Sequence, residues 1–373
     1  MSKEMSQKSK EINQISNTNF YVPTLGVGCS PFGEMFEKVS VSQSIQALEK
    51  AANEHGISYF DTAPYYGNGC SEARVGISIN SIRSAKLMDV QVSTKVGKIL
   101  DPLPKEQDVL TWVGGYDLKL RRDYTYTGIM QSHRESCLRL GIPSVDALVI
   151  HDLDNFHCGN EKETYLRQLL DPWTGGLKAL YDLKLRGQIK AIGIGCNGSE
   201  TGSIEVCKEV SNAAKELEKM CNRKYKALDY ILCAGPYNLL NHDTGHNDLL
   251  PFCKERNLSL VIGAPYGGVG AILAKGIRNC SPQEKADLKF LYAPTSKSVV
   301  QKLEELEEVC EKFKVNLGAA ALQFPFRNPL VKCVLAGVKS VAEVDAAVQW
   351  MDEMIPEMFW KELIDKKLIL EMS

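Results

Sequence analysis

The sequence lacks an excess of charge of either sign, and it lacks a long apolar segment. Its 44 lysine and arginine residues nearly balance 46 aspartate and glutamate residues, so the formal net charge is −2 over 373 residues. A chain without a positive surplus has no electrostatic basis for holding nucleic acid or anionic lipid. No run approaches the ~20 apolar residues that cross a bilayer. We therefore expect neither nucleic acid nor membrane as a partner, which leaves small molecules or other proteins.

The sequence also lacks the marks of an exported or metal-binding protein. Its first twenty residues are polar and contain no apolar core of the kind that a secretory signal needs. Twelve cysteines are present, but none are spaced as Cys-x-x-Cys, and no cysteine–histidine cluster has zinc-ligand spacing. We expect a cytoplasmic protein with reduced cysteines and no bound metal. We also expect a disordered N-terminal arm over residues 1–20 and a single domain over residues 21–373.

Short β-branched apolar runs alternate with longer amphipathic patterns. Eight runs are candidate strands: residues 24–27, 57–61, 90–95, 145–150, 190–195, 229–233, 258–262 and 332–336. Alternation of this kind, with continuous apolar strands, is typical of a parallel sheet covered by helices. Eight strand–helix units predict an α/β fold closed into a (β/α)₈ TIM barrel.

A doubly wound sheet would need a phosphate-binding turn after its first strand. The segment from Gly26 to Gly33 contains Gly-x-Gly, but the third glycine is misplaced and Pro31 and Phe32 interrupt the helix start. The segment therefore fails as a Rossmann fingerprint, and we interpret it as a turn at the barrel mouth.

Two connections are unusually long: from Lys95 to about residue 127, and from Ile262 to about residue 296. Long connections in compact domains are usually functional. Both follow strands, so we expect both on the carboxyl-terminal face, where barrel active sites are built.

Three ionisable residues stand at the ends of consecutive candidate strands. Asp61 closes one run, Lys95 closes the next, and His151 follows the third. Because the runs themselves are apolar and would be buried in the barrel wall, these side chains should emerge at the same rim. Three strands that bring Asp, Lys and His to one face favour a catalytic site.

Tyr66 completes this set. It follows Asp61 by five residues, in a turn marked by Pro64 and Gly67 that lets a side chain fold back over the mouth. A free phenol has a pKa near 10 and is a poor base at neutral pH. We expect Lys95 to lower that pKa and Asp61 to hold the lysine in place. Such a tyrosine can exchange a proton with a substrate oxygen.

The segments FDTAPYYG, STKVG and LVIHDLD resemble the signature of the aldo-keto reductase family, in its order and spacing. The resemblance implies a (β/α)₈ barrel that binds an extended nicotinamide cofactor without a Rossmann domain. It also implies that the catalytic residues are Asp61, Tyr66, Lys95 and His151. Tyr66 would be the proton donor or acceptor, and His151 would orient the substrate oxygen.

Finer features, including APYYGNGCSEARVG, KAIGIGCN and AALQFPFRNPLV, resemble the family's aldose 1-dehydrogenase branch. That likeness implies oxidation of a sugar such as a D-threo-aldose, L-fucose, L-galactose or D-arabinose at the anomeric carbon, which yields a lactone. Alternatives are an NADPH-dependent aldehyde or ketone reductase, a pyridoxal 4-dehydrogenase, and a cofactor-binding regulatory subunit without turnover. The oligomeric state would be a monomer or weak homodimer.

The cofactor contacts implied by the resemblance fall on six residues: Gly28, Asn197, Gly337, Lys339, Ser340 and Glu343. Asn197 stands near the family's carboxamide-binding asparagine. The segment from Gly337 to Ser340 opens a helix, which is a natural phosphate site. Glu343 would repel a 2′-phosphate, so we expect NAD, with NADP the alternative. Gly263 departs from the family, which often has a stacking aromatic there.

A metallohydrolase barrel is the remaining alternative for the mouth. His151, Asp152, Asp154 and His157 offer metal-ligating atoms. However, no His-x-His lies on the first strand, and Lys95 would have no role other than as a carbamate.

Overall fold

A computed structural model of the chain describes residues 7–371, apart from residues 17, 36, 86–87, 107–111, 199, 223, 269–270, 279 and 292. The described strands are β1 (Ile12–Gln14), β2 (Tyr21–Pro23), β3 (Leu25–Gly28), β4 (Tyr59–Asp61), β5 (Gln91–Val96), β6 (Lys98–Asp101), β7 (Lys119–Arg122), β8 (Ala147–Ile150), β9 (Ala191–Cys196), β10 (Tyr230–Cys233), β11 (Ser259–Ile262), β12 (Lys289–Phe290), β13 (Ala293–Pro294) and β14 (Val331–Gly337). The described α-helices are α1 (Val41–Asn53), α2 (Cys70–Ser84), α3 (Tyr126–Leu140), α4 (Asn155–Cys158), α5 (Lys162–Leu170), α6 (Gly176–Leu185), α7 (Ser203–Met220), α8 (Leu250–Arg256), α9 (Ile272–Lys275), α10 (Pro282–Ala286), α11 (Lys297–Phe313), α12 (Leu317–Gln323), α13 (Val341–Asp352) and α14 (Glu357–Asp365).

Eight of these strands form a closed parallel barrel: β3, β4, β5, β8, β9, β10, β11 and β14. They neighbour one another in chain order, and β14 pairs with β3 to close the ring, with Gly337 opposite Gly28. These are the eight strands that the sequence predicted, so the (β/α)₈ fold is confirmed. Because every barrel strand runs in the same direction, all their carboxyl ends meet at one mouth.

The amino end of the barrel is closed by a hairpin of β1 and β2. Ile15 and Phe20 are fully buried in this hairpin, and Phe20 packs edge-on against Tyr59, with ring centroids 5.4 Å apart. The expected disordered arm over residues 1–20 is therefore wrong for residues 7–16 and 18–20. The segment is polar overall, but its apolar residues Ile15 and Phe20 fill the amino end of the barrel.

Amphipathic helices cover the outside of the strands. In α1, Leu48, Ala51 and Ala52 are buried, and in α11 Leu303 and Leu306 are buried, as the sequence pattern predicted. No helix in the described ranges is both long and apolar enough to cross a membrane.

The two long connections lie on the carboxyl side of the barrel, as predicted. The first contains the antiparallel pair β6–β7 and leads into α3. The second contains α9, α10 and the short pair β12–β13, and leads into α11. Both extend the rim of the mouth where the candidate site residues emerge.

Candidate active site

The floor of the mouth holds a buried ion pair between neighbouring strand ends. Asp61 ends β4, and Lys95 lies in β5 two residues beyond the partner of Asp61 in the strand register. Lys95 Nζ forms an ion pair with Asp61 Oδ1 and donates a hydrogen bond to the Thr62 carbonyl oxygen at 2.9 Å. Ser93 Oγ donates to Asp61 Oδ2 at 2.5 Å. These contacts fix both charged groups, which burial alone would destabilise.

Tyr66 lies directly above this pair, with Lys95 Nζ 4.7 Å from its ring centroid. Burial raises the pKa of the Tyr66 phenol well above its ordinary value, and the carboxylates of Asp61 and Asp152 add to the rise. The expected lowered pKa of Tyr66 is therefore wrong for the groups of the chain itself, because the net shift is upward. Desolvation of a phenolate and two nearby negative charges outweigh one lysine.

His151 follows β8 and faces the same tyrosine. Its ring meets the Tyr66 ring edge to face, with centroids 5.8 Å apart. The Tyr124 hydroxyl donates to the His151 carbonyl oxygen at 2.5 Å, which holds the backbone in place. Burial lowers the pKa of His151 well below its ordinary value, so the imidazole is neutral at pH 7. The structure thus brings Asp61, Tyr66, Lys95 and His151 together, as the sequence predicted.

A second buried lysine lies beside the first. Gly97, at φ +97°, turns the chain out of β5 so that Lys98 begins β6. Lys98 Nζ pairs with Asp152 Oδ2 at 2.6 Å and lies 3.8 Å from the Tyr65 ring centroid. Lys98 was not singled out in the sequence, because a lysine just beyond a strand is usually an exposed boundary.

Asp152 joins this lysine to the histidine and to a candidate cofactor residue. Its Oδ2 lies 3.2 Å from His151 Nε2, and its Oδ1 accepts from Asn197 Nδ2 at 3.0 Å. The same Nδ2 donates to Asp154 Oδ2 at 2.9 Å. Burial alone would raise the pKa of Asp152, but the ammonium of Lys98 beside it holds that pKa well below its ordinary value. The carboxylate therefore stays ionised in the mouth.

Asp152, Asp154 and His157 bring ligand-type atoms within 4.8 Å of one another. These atoms already have partners, since His157 Nδ1 lies 2.9 Å from Asp154 Oδ1 and Lys98 is paired with Asp152. A cation would have to displace the ammonium of Lys98 from Asp152. The arrangement is that of a hydrogen-bonded network with an internal counter-ion.

One wall of the mouth is aromatic. Trp112 packs edge-on against Tyr65, with centroids 5.5 Å apart, and lies 6.1 Å from the Tyr66 ring. The indole is buried, and its Nε1 has no hydrogen-bond partner within the described part of the chain. A buried donor without an acceptor is destabilising, so a ligand oxygen near Trp112 would satisfy it.

Glu34 holds the Trp112 loop in place. Its carboxylate pairs with Arg74 at 2.7 Å and accepts from the Gly115 amide at 3.3 Å, while its carbonyl accepts from the Gly114 amide at 3.1 Å. Glu34 has φ +62°, a conformation that non-glycine residues rarely adopt. The Trp112 loop is therefore held in place by the buried Glu34–Arg74 ion pair, which lies earlier in the sequence.

Four glycines lie at or next to the carboxyl ends of barrel strands: Gly28, Gly195, Gly263 and Gly337. A Cβ at any of them would meet no heavy atom closer than 3.4 Å, so packing within the chain does not require glycine there. Inside the barrel, by contrast, a Cβ on Gly26 would lie 2.8 Å from Leu335. These four strand ends thus leave open space at the mouth beside the charged side chains, and an extended nicotinamide cofactor could lie against them.

The remaining candidate cofactor residues lie where β14 leads into α13. The Ser340 hydroxyl caps the helix by accepting from the Glu343 amide at 3.3 Å. Glu343 Oε2 accepts from the Lys339 amide at 2.8 Å, and Lys339 Nζ pairs with Glu37. The pairing with Glu37 raises the pKa of Lys339. The side chain of Lys339 is therefore already paired with one carboxylate, and its backbone amide is bonded to another.

Comparison with known proteins identifies the family of the chain. The model of the aldo/keto reductase family matches residues 24–368. The chain is 30% identical to a pyridoxal 4-dehydrogenase of Microbacterium luteolum, over 98% of this chain and 100% of that one. It is also 30% identical to a D-threo-aldose 1-dehydrogenase of a Pseudomonas species, over 93% and 95% of the two chains.

Solved structures agree on the fold. A glycerol dehydrogenase of Gluconobacter oxydans superimposes with a TM-score of 0.68 at 18% identity, covering 97% of this chain and 95% of that chain. The family match over residues 24–368 and the named relatives lead to one conclusion. The chain belongs to the aldo-keto reductase family and is a nicotinamide-dependent oxidoreductase.

Proposed function

We propose that the protein oxidises the anomeric carbon of an aldose to a lactone, with NAD as the cofactor. The observation that carries this proposal is the placement of Tyr66 between Lys95 and His151, beside glycine strand ends that leave open space for a cofactor. A sugar ring offers that group a hemiacetal hydroxyl, which is a weak acid that must lose its proton as hydride leaves the carbon.

In this reaction the hemiacetal O–H and C–H bonds break and a C=O bond forms. When bound, the oxidised nicotinamide supplies the acceptor for the hydride. Tyr66, as phenolate, takes the hydroxyl proton, and Lys95 stabilises the negative charge on Tyr66 before transfer. His151, being neutral, orients the sugar oxygen by a hydrogen bond. Asp61 fixes Lys95 below the ring.

The raised pKa of Tyr66 sets the pH dependence of oxidation. Because the phenol is mostly protonated at neutral pH, the rate should rise with pH as the phenolate fraction grows. The positive charge of an oxidised nicotinamide would act in the same direction as Lys95 and bring the ionisation closer to working pH.

The aromatic wall supports a ring-shaped substrate. Trp112 and Tyr65 present ring edges and faces on which the C–H face of a sugar can pack, and the unpartnered Nε1 of Trp112 can donate to a ring hydroxyl. We place the substrate at the mouth beside this wall, with its reacting hydroxyl at Tyr66.

Pyridoxal is the second candidate substrate, favoured by the 30% identity to a pyridoxal 4-dehydrogenase along nearly the whole chain. Its aldehyde and neighbouring hydroxymethyl group close to a cyclic hemiacetal, so the bond changes are the same as for an aldose. Its flat ring also suits the wall of Trp112 and Tyr65.

Preference for NAD follows from the start of α13. Glu343 would repel a 2′-phosphate and accept from a ribose hydroxyl, and Lys339 is already paired with Glu37. The rival directions are reduction of an aldehyde or ketone with NADPH, and cofactor binding without turnover. We further propose that the enzyme is cytoplasmic and works as a monomer or weak homodimer, with residues 21–373 as one catalytic domain.

The test is absorbance by reduced cofactor across a panel of L-fucose, L-galactose, D-arabinose, other aldoses and pyridoxal, each with NAD and with NADP. We expect turnover with at least one cyclic hemiacetal and NAD. Turnover only of aldehydes with NADPH would replace the proposal with the reductase. Cofactor binding without turnover of any substrate in either direction would replace it with the regulatory protein.

A further inference from the structure

We propose that Asp152 is a positioning residue that fixes the orientation and hydrogen-bonding state of His151, with Lys98 as its counter-ion and Asn197 as its link to the cofactor side. This inference rests on the proposed function, because it assigns Asp152 a part in the same proton transfer. Asp152 directly follows His151 in the LVIHDLD segment, and Lys98 and Asn197 reach it from other elements.

The first line of support is the way Asp152 uses both oxygens. Oδ2 faces His151 Nε2 at 3.2 Å and accepts from Lys98 Nζ at 2.6 Å. Oδ1 accepts from Asn197 Nδ2 at 3.0 Å. One buried carboxylate thus touches a proposed acid–base group, a lysine and a proposed cofactor residue.

The second line of support is the backbone. Asp152 has φ +47°, in the left-handed region that aspartate tolerates but does not favour. The Cys158 thiol lies 3.3 Å from the Asp152 carbonyl oxygen, and the side-chain contacts hold the carboxylate on the other side. This conformation points the residue after His151 back at the imidazole instead of along the chain.

The third line of support is the tautomer that these contacts select. A carboxylate oxygen 3.2 Å from Nε2 favours the neutral imidazole with its proton on Nε2, which leaves Nδ1 unprotonated. His151 Nδ1 is buried and has no hydrogen-bond partner among the described residues. Because no described group sets the state of Nδ1, the tautomer depends on the carboxylate beside Nε2.

The charged groups around His151 come from three elements besides its own. Lys95 on β5, Lys98 on β6 and His157 on α4 all lower its pKa, after the larger effect of burial, while Asp152 raises it. Asp152 also raises the pKa of Tyr66. Removing the carboxylate should therefore lower both pKa values, which gives the network a pH signature.

A matched control lies at the opposite end of the barrel. Lys184 donates to Asp229 at 2.7 and 2.6 Å, and Asp229 also accepts from the Ile192 amide at 2.8 Å. This pair is also buried, but Asp229 lies just before β10, and its side chain contacts a lysine and a backbone amide of β9. A change there affects folding without touching the mouth.

The kinetic test compares Asp152→Asn with Asp229→Asn. Asn keeps the size and one acceptor, so only the charge and the Nε2 partner are weakened. In Asp152→Asn we expect kcat to fall about tenfold or more, cofactor affinity to stay within about threefold, and the rise of oxidation rate with pH to move to lower pH. Asp229→Asn should lower thermal stability and leave the pH profile in place. Equal loss of kcat with an unmoved profile in both variants would overturn the proposal.

A readout independent of turnover uses ¹⁵N-histidine labelling, since the chain has six histidines. His151→Gln identifies the His151 signal. In wild type without cofactor we expect a neutral imidazole protonated on Nε2, and in Asp152→Asn a mixture of tautomers. A wild-type His151 protonated on Nδ1 would overturn the positioning role even if Asp152→Asn fails to fold. Failure of every hemiacetal substrate would overturn the proposed function and leave this result intact.

Discussion

Two lysines three residues apart show how similar groups take different parts in one site. Lys95 pairs with Asp61 beneath Tyr66, and Lys98 pairs with Asp152 beneath Tyr65. Each is a buried lysine with an aspartate partner and a tyrosine ring. The pairs differ in what the aspartate meets next. Asp61 accepts from Ser93, whose hydroxyl contacts Tyr59 inside the barrel, whereas Asp152 contacts His151 and Asn197 at the mouth.

The comparison teaches that a buried ion pair is better judged by its further contacts than by its own strength. Removing two charges from water offsets most of their attraction, so neither pair is a strong source of stability. Their retention at the mouth is therefore best explained by what they do to Tyr66 and His151. Lys95 and Asp61 set the charge below Tyr66. Lys98 and Asp152 set the orientation of His151 beside it.

Replacing the two tyrosines is the change with the largest expected effect. Tyr66→Phe removes the transferable proton and should lower kcat by ~10²–10⁴-fold, because general acid–base catalysis contributes that much. Tyr65→Phe, the matched control, keeps the ring over Lys98 and should lower kcat by less than about tenfold. Steady-state formation of reduced cofactor measures both, and fluorescence quenching by the cofactor shows that binding persists.

If kcat fell equally in Tyr66→Phe and Tyr65→Phe, the two lysine–aspartate pairs would not have different roles. Near-normal turnover in Tyr66→Phe would remove Tyr66 from the mechanism altogether.

The cofactor end allows a charge test away from both pairs. Glu343→Arg replaces a repelling carboxylate with a group that binds phosphate, so the ratio of kcat/KM for NADP to that for NAD should rise about tenfold or more. Glu357→Arg makes the same change in the first turn of α14 and should leave the ratio alone. If wild type already strongly prefers NADP, then the role given to Glu343 is wrong.

The smallest expected effect concerns the wall over Tyr65. Trp112→Phe keeps an aromatic ring but removes the unpartnered indole N–H, so KM for the substrate should rise by up to about tenfold while kcat changes little. Trp173→Phe, at an exposed position, is the control. An unchanged KM in Trp112→Phe would place the substrate away from this wall.

The sequence predicted the strand ends well because their signal is local. Asp61, Lys95 and His151 each terminate an apolar run, and a closed parallel barrel brings all such ends to one mouth. Gly28 and the helix start after Gly337 were also found from signals in the adjacent sequence.

The sequence did not predict contacts that depend on backbone turns and long-range packing. Lys98 reaches the mouth because Gly97 turns the chain, and Asp152 faces His151 because of its own left-handed backbone. The pKa of Tyr66 was predicted with the wrong sign because spacing reports neighbouring charges but not the degree of burial. Phe20 was assigned to a disordered arm because a single aromatic residue among polar ones gives no periodic signal.

The most direct test of the account is the pH dependence of oxidation in Lys95→Met and Lys98→Met, measured side by side. Lys95→Met removes the cation below Tyr66, so its pKa rises further and the alkaline ionisation should move to higher pH. Lys98→Met removes the cation that most lowers the His151 pKa, so imidazolium should form at higher pH. The acidic ionisation should then move upward while the alkaline one stays. If both variants shift the same ionisation by the same amount, then the two pairs do not have separate roles and the account is contradicted.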